Sequence, residues 1–227
     1  MRPYLLDRRP KGGSQEEDFL SPAEKAAQAA LIVPKRRADW LAGRLTAKRL
    51  IVRYLTDRGL RVDPSQVEVL SREDGSPRVR LPEAAGRPPS VSISHSEAGS
   101  AAALRPDGGL IGVDQETVAH RHPSFLSMMA HEEERTPALD DPAEQTLLWT
   151  LKEAVSKALG VGLSVDLWDI RFVPGPEGRR LTLHGRARER WEALGRPTLR
   201  FESFPGKDEV TSVAYADNAC AAGEAHA

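Results

Sequence analysis

Two long stretches of this chain carry apolar residues at helical spacing, and short alternating runs separated by turn residues surround them. From 36 to 58, Leu41, Leu45, Ile51, Val52 and Leu55 make one stripe that Gly59 ends. From 141 to 159 a second stripe runs through Leu148, Leu151, Val155 and Leu159, closed by Gly160. A shorter helix is predicted after Ser21, where Pro22 takes the first helical position and Glu24 completes a capping box. Others are predicted over 122–135 and 187–194. Strands are expected near 67–70, 79–81, 91–94, 101–104, 110–113, 170–173, 180–184, 198–204 and 210–215, with Pro106-Asp107-Gly108-Gly109 a turn between two of them. Helices and strands thus fall in blocks, which predicts an α+β fold rather than a doubly wound βαβ repeat. Two halves of similar make-up, 21–106 and 107–217, meet near residue 106, though no close internal sequence repeat is visible. Residues 1–20 are expected to be a flexible extension and 218–227 a disordered tail.

Composition narrows the function classes. A formal net charge of −1 argues against a uniformly basic nucleic-acid binder, and 5% aromatic residues argue against a base-stacking surface. The single cysteine, Cys220, leaves no disulfide within the chain, which favours a cytoplasmic setting. Asp7, Arg8 and Arg9 interrupt the first apolar run, so no signal peptide is predicted, and no stretch reaches the roughly 20 apolar residues that span a bilayer.

Three motifs carry chemistry. In Gly112-Val113-Asp114-Gln115-Glu116 a strand would place Asp114 and Glu116 on one face, where the two charges repel unless a hard cation such as magnesium sits between them. From the pair alone, two solvated acids at an exposed strand end are the favoured reading, since surface acids are common. In Trp149-Thr150-Leu151-Lys152-Glu153-Ala154-Val155-Ser156-Lys157, Trp149, Glu153 and Lys157 share a helix face at steps of four. That spacing suits a third carboxylate for the metal with a lysine for a phosphate, or an ordinary surface Glu–Lys pair. Ile93-Ser94-His95-Ser96 ends a strand with a histidine between hydroxyls, suited to phosphate oxygens or to capping a loop. Lys35, Arg36, Arg37 and Arg44 add positive charge beside the early helix. His131-Glu132-Glu133-Glu134-Arg135 lacks the second histidine of a zincin and reads as a charged helix end.

Together, in this order, the three motifs resemble those of the surfactin-type 4′-phosphopantetheinyl transferases, over about residues 21–215. The resemblance implies a pseudo-two-fold fold of two α/β halves in one chain with coenzyme A in the cleft between them. It implies magnesium held by Asp114, Glu116 and Glu153, with Lys157 at the pyrophosphate, Lys152 assisting, and Ser94 and His95 on phosphate oxygens. Gly75-Ser76-Pro77 stands where the family's nucleotide loop usually reads Gly-Lys-Pro, so one lysine contact is missing. Gln115 stands where an apolar residue is usual, and Arg36, Arg37 and Arg44 fit a role at the 3′-phosphate.

The reaction so implied is attack of a carrier serine on the β-phosphate of coenzyme A, releasing adenosine 3′,5′-bisphosphate. Glu153 or a metal-bound water would take the serine proton. The partners implied are apo acyl or peptidyl carrier proteins, docking near Phe125, Leu126, Met128 and Met129, with the chain a monomer in contact with neither nucleic acid nor membrane. Those four apolar residues read equally as a helix's core face. The alternative function is a non-catalytic module of the same fold that binds coenzyme A or a carrier.

Overall fold

Two copies of one folding plan follow each other along the chain. The computed structural model describes residues 2–10, 17–97, 99–176 and 178–216. In the first copy, strand β1 (Leu5–Pro10) leads into helices α1 (Pro22–Ala29) and α2 (Pro34–Thr56). The hairpin β2 (Glu68–Ser71) and β3 (Pro77–Arg80) follows, then strands β4 (Ser90–Ser96) and β5 (Gly99–Arg105). In the second, strand β6 (Ile111–Thr117) leads into α3 (Pro123–Met129) and α4 (Pro142–Leu159). The hairpin β7 (Ile170–Gly175) and β8 (Gly178–Leu183) precedes an added helix α5 (Gly185–Ala193), and β9 (Leu199–Pro205) and β10 (Glu209–Ala216) close the copy. The sheets have the antiparallel orders β1-β5-β4 and β6-β10-β9, so each copy lays its last strand in the middle, beside its first. This is an α+β fold of two α/β halves.

Leu5–Pro10 is therefore a paired strand and not part of a flexible extension. Its short Leu5-Leu6 run alternates between two cores, Leu5 toward α2 and Leu6 toward the other half. Six residues of pairing with β5 hold it where composition alone suggested nothing. Residues 11–16 and the predicted tail 218–227 lie outside the described residues. The helix predicted over 122–135 is shorter, because Ala130 leaves the helical region and 3-10 turns follow at Glu132–Glu134 and Pro137–Asp140.

Side-chain alternation on the strands builds the core in layers. Ala102 and Leu104 of β5 face Ala47, Leu50, Ile51 and Leu55 of α2, whereas Ala101 and Ala103 face the other way, onto Ile111, Val113, Val213 and Tyr215 of the second half. The small alanines on both faces let helix and sheet approach closely. In the second half, α4 packs Leu148, Leu151, Ala154 and Val155 against Ile170, Phe172 and Ala214.

The two sheets meet edge to edge at β4 and β6, and there serine hydroxyls replace the backbone ladder. Ser92 Oγ accepts from Val113 N at 3.0 Å and Ser94 Oγ accepts from Gln115 N at 3.2 Å. Two edge strands that would otherwise expose unpaired amides are thus satisfied by each other's side chains.

A buried polar device recurs in both halves. On α2, Thr46 Oγ1 bonds Ala42 O and Ser100 Oγ, and the fully buried Lys48 pairs with Glu24. On α4, Thr150 Oγ1 bonds Leu147 O and Ser212 Oγ, and the fully buried Lys152 pairs with Glu134. Each glutamate also takes two backbone N–H donors: Ser21 and Val69 for Glu24, His131 and Phe172 for Glu134. The repeat hidden in the sequence is therefore Thr-x-Lys on the long helix, with a glutamate upstream of it. Glu134 is accordingly no part of a solvated charged end.

The seam is open to direct test. Ser92→Ala strands the buried Val113 N–H, and urea unfolding should show a loss of about 1–3 kcal/mol. An unchanged midpoint would mean that the β4–β6 edge is held by something other than these hydroxyls.

Candidate active site

Gly112 decides where the acids point. A Cβ at Gly112 would lie 1.9 Å from Ala154 O and 2.6 Å from Ala158 N, so α4 rests directly on the β6 backbone. Asp114 and Glu116 follow Gly112 at steps of two and share its face, toward α4. Lys157 of α4 reaches back to Asp114 Oδ1 at 2.7 Å and Val113 O at 3.1 Å. Asp114 is buried, and its Oδ1 also accepts from Ser94 Oγ at 2.8 Å, while its Oδ2 has no partner among the described residues.

Glu116 and Glu153 complete an acidic cluster. Trp149 Nε1 donates to Glu116 Oε1 at 3.4 Å, and Arg121 lies 3.8 Å from Oε2. The Phe125 ring sits 4.9 Å from Trp149 and Arg121 lies 5.4 Å over it, so an aromatic and cationic wall backs this carboxylate. Burial raises the Glu116 pKa above the ordinary carboxylate value, and the Asp114 charge raises it further, against Trp149, Arg121 and Lys157. Burial likewise raises Glu153, where Lys157 opposes the shift and the charges of Asp114 and Glu116 add to it. The three acids therefore sense one another, the separation from sequence being 37 residues between Glu116 and Glu153.

The donor set fits a hard divalent cation: carboxylate oxygens, mutual repulsion, and a buried carboxylate oxygen with no partner. Among the described residues, no three His, Cys, Asp or Glu side chains are already closed around one point as metal ligands. Lys157 occupies the counter-charge position on Asp114 instead.

From Lys157, beside this cluster, a cleft runs to the first half. Lys157 lines it together with Gly75, Ser76, Pro77, Ile93 and Gly162. It continues into a hollow lined by Arg36, Asp39, Trp40, Gly43, Arg44 and His95. Asp74 holds the Ser76 N–H and hydroxyl, at 2.9 Å and 2.6 Å, which tightens the turn that presents Gly75 and Pro77. Arg44 is buried, stacked 5.0 Å over Trp40, and bonded through one nitrogen to Ser71 Oγ at 2.8 Å, with its Nε unpartnered. Desolvation lowers its pKa to about 10, the mark of a guanidinium taken out of water with little anionic compensation. His95 is exposed at the rim, and its pKa is lowered chiefly by desolvation, with Asp39 opposing.

Several sequence expectations move. Lys152 is wholly buried and donates to Glu134 Oε2, Met129 O and Leu167 O at 2.6, 2.7 and 2.9 Å, which uses all three ammonium hydrogens, so it does not face the cleft. Ser94 is buried too, its hydroxyl taken by Asp114 and Gln115 N. Arg37 is exposed and does not line the hollow that Arg36 and Arg44 share. Met129 is fully buried in the core, while Met128 is 54% exposed and Phe125 and Leu126 are half-buried against the core. Gln115 points away from the acids, its amide bonded to Glu209 at 2.7 Å. Arg121 and Trp149 as partners of Glu116 were not singled out from sequence; an aromatic residue four before Glu153 was the only sign.

Because Gly112 sets the approach of α4, Gly112→Ala should cost about 1–3 kcal/mol of stability by overpacking. A structure of the variant should show Lys157 drawn away from Asp114. A variant with wild-type stability and that contact intact would refute the close-approach account.

Residues 110–213 match the model of the 4′-phosphopantetheinyl transferase superfamily. The holo-[acyl-carrier-protein] synthase of Nitratidesulfovibrio vulgaris strain DP4 is 37% identical over 86 residues, which cover 37% of this chain and 69% of that protein. Among solved structures, a Chronobacterium ammoniagenes ACPS–CoA complex is 21% identical, covering 47% of this chain and 95% of that one with a TM-score of 0.41. The Helicobacter pylori holo-[acyl-carrier-protein] synthase in complex with coenzyme A is 22% identical, covering 48% and 100% with a TM-score of 0.38. The family model falls on the half that holds β6, the acids and α4, and with the 37% identity that covers 69% of the curated synthase the chain belongs to the 4′-phosphopantetheinyl transferase superfamily.

Proposed function

We propose that this protein transfers the 4′-phosphopantetheine arm of coenzyme A to a serine of an apo carrier protein. The observation that carries the reading is a cleft that runs from Lys157, bonded to Asp114 of the acid cluster, to the hollow lined by Arg36 and Arg44. A nucleotide with phosphates at both ends suits such a groove. Two copies of the plan in a single chain support the surfactin-type reading within the superfamily.

In this reading Arg44 and Arg36, with His95 at the rim, hold the 3′-phosphate, and Gly75-Ser76-Pro77 bounds the nucleotide. Lys157 faces the pyrophosphate. Asp114, Glu116 and Glu153 hold a magnesium ion, which supplies charge neutralisation at the pyrophosphate when bound. Ser94 orients Asp114 and Trp149 orients Glu116. The carrier serine oxygen forms a bond to the β-phosphorus as the bridging P–O bond breaks, and adenosine 3′,5′-bisphosphate departs with that oxygen. Glu153, the acid that α4 brings beside Asp114 and Glu116, is the residue assigned to receive the serine proton. Met128, on the exposed side of α3, is the apolar contact for the carrier, together with the half-buried Phe125 and Leu126.

Incubation of a purified apo carrier with this protein, coenzyme A and magnesium should add one phosphopantetheine arm, read by intact mass. EDTA should abolish the gain. Glu153→Ala should lower turnover at least about a hundredfold, within the 10²–10⁴ range of a positioned proton acceptor. Arg44→Met should raise the KM for coenzyme A roughly tenfold or more, the loss of one charge-assisted contact, with turnover much less affected. Coenzyme A binding without any transfer to fatty-acid, polyketide or peptide carriers would favour a binding module instead.

A further inference from the structure

We propose that the two buried lysine–glutamate pairs are positioning devices, one for each end of the reaction site, and that Lys152 acts through α4 and never on a phosphate. The inference rests on the reading above that Arg44 and the acid cluster hold opposite ends of coenzyme A.

Lys152 ties α4 to three separate pieces of chain: Met129 O at the end of α3, Glu134 in the 3-10 turn, and Leu167 O just before β7. Glu134 extends the tie to β7 through the Phe172 N–H at 2.7 Å. With Lys152 locked on the inner side, the next residue, Glu153, is turned about 100° round the helix, toward β6 and Asp114. The rotation of α4 about its axis is thereby set by a side chain that touches no acid of the cluster.

The first half repeats the device at the other end. Lys48 meets Glu24 of α1, and Glu24 accepts from Val69 N of β2 at 2.8 Å. One turn before Lys48 on α2 stands Arg44, whose guanidinium lines the cationic hollow and reaches Ser71 at the end of the same strand, β2. Buried ion pairs gain little net stability, because desolvation offsets most of their attraction. Burial lowers the pKa of both lysines, and the paired glutamate opposes it in each case. What each pair contributes is a fixed angle between a long helix and its hairpin.

Removing both charges of a pair together avoids leaving a lone buried charge, so the doubles Lys152→Met/Glu134→Gln and Lys48→Met/Glu24→Gln, each first checked for cooperative unfolding, are the variants to compare. Two titrations on each purified protein separate the roles. Calorimetry measures coenzyme A binding without metal, and the EPR signal of free Mn²⁺ measures metal binding to the coenzyme A-loaded protein. The second-half double should lose about tenfold or more in Mn²⁺ affinity, as loss of an orienting partner does, while coenzyme A affinity stays within about threefold. The first-half double should show the reverse. Both doubles weakening both titrations alike would reduce the pairs to general structural supports and overturn the proposal. A metal-free loss of coenzyme A affinity confined to the second-half double would overturn it too, by making Lys152 a phosphate contact. Wild-type protein that binds coenzyme A and Mn²⁺ but transfers nothing would refute the transferase reading and leave these two titrations interpretable.

Discussion

Helix α4 can serve the site only because it lies on bare backbone at Gly112. Any side chain there would lift the helix off β6. From that contact the rest follows in order. Lys157 comes within reach of Asp114 and Val113 O, Glu153 joins the two acids of β6, and Trp149, one turn earlier, reaches Glu116. A strand that puts acids on its helix-facing side would ordinarily be a folding error, since that face is buried. The lysine on the facing helix offsets part of the desolvation, yet burial still raises the pKa of Glu116 and Glu153, with the neighbouring acid charges adding to it. A cluster left in that condition is a place where a cation gains free energy by binding.

The duplicated plan diverged in charge at this spot. Ser212 of β10 lies opposite Asp114, and its counterpart Ser100 of β5 lies opposite Arg9. Glu153 follows Lys152 on α4, and Arg49 follows Lys48 on α2. The first half therefore carries arginines at the positions where the second carries these two acids. The Thr-x-Lys device, the capping glutamate and the strand order are common to both halves, whereas the groups facing the reaction are not. The shared parts are those that hold a helix to its sheet, and the altered parts are those that meet a ligand.

Reading the sequence recovered what local periodicity encodes. The α2 and α4 stripes, the capping box at Ser21 and the Gly160 stop all lie within a few residues of prediction, and Gly160 is left-handed at φ 67. The spacing of the acids and Lys157 on one strand and one helix implied shared faces, but only the family resemblance joined them into one constellation. Three things were not legible. β1 is too short and too charged to announce itself, and only its pairing with a strand about ninety residues away makes it one. Lys152 looked like a site residue because it adjoins one, but the partner that claims it, Glu134, sits in a charged run with no helical register to it. The internal repeat was invisible because few positions retain it, chiefly the buried polar ones, while most apolar positions changed within their volumes.

Cleft width is the remaining constraint, and it falls on a narrow part of the fold. The hollow around Arg44 belongs to α2 and the acid cluster to β6 and α4, so the two ends of the proposed coenzyme A site lie on different sheets. Those sheets touch along β4 and β6, where hydroxyls of Ser92 and Ser94 replace a ladder, and across the apolar layer of Tyr4, Ala101, Ala103, Ile111, Val113, Val213 and Tyr215. Two hydroxyl bonds contribute only about 1–3 kcal/mol between them, so the apolar layer carries the association and the serines set its register. Ser94 serves both ends of this arrangement, since the hydroxyl that accepts from Gln115 N also orients Asp114. The acid is thereby aimed by the same atom that fixes the position of one half against the other. A ligand spanning the cleft meets its charged partners at a separation set by that seam.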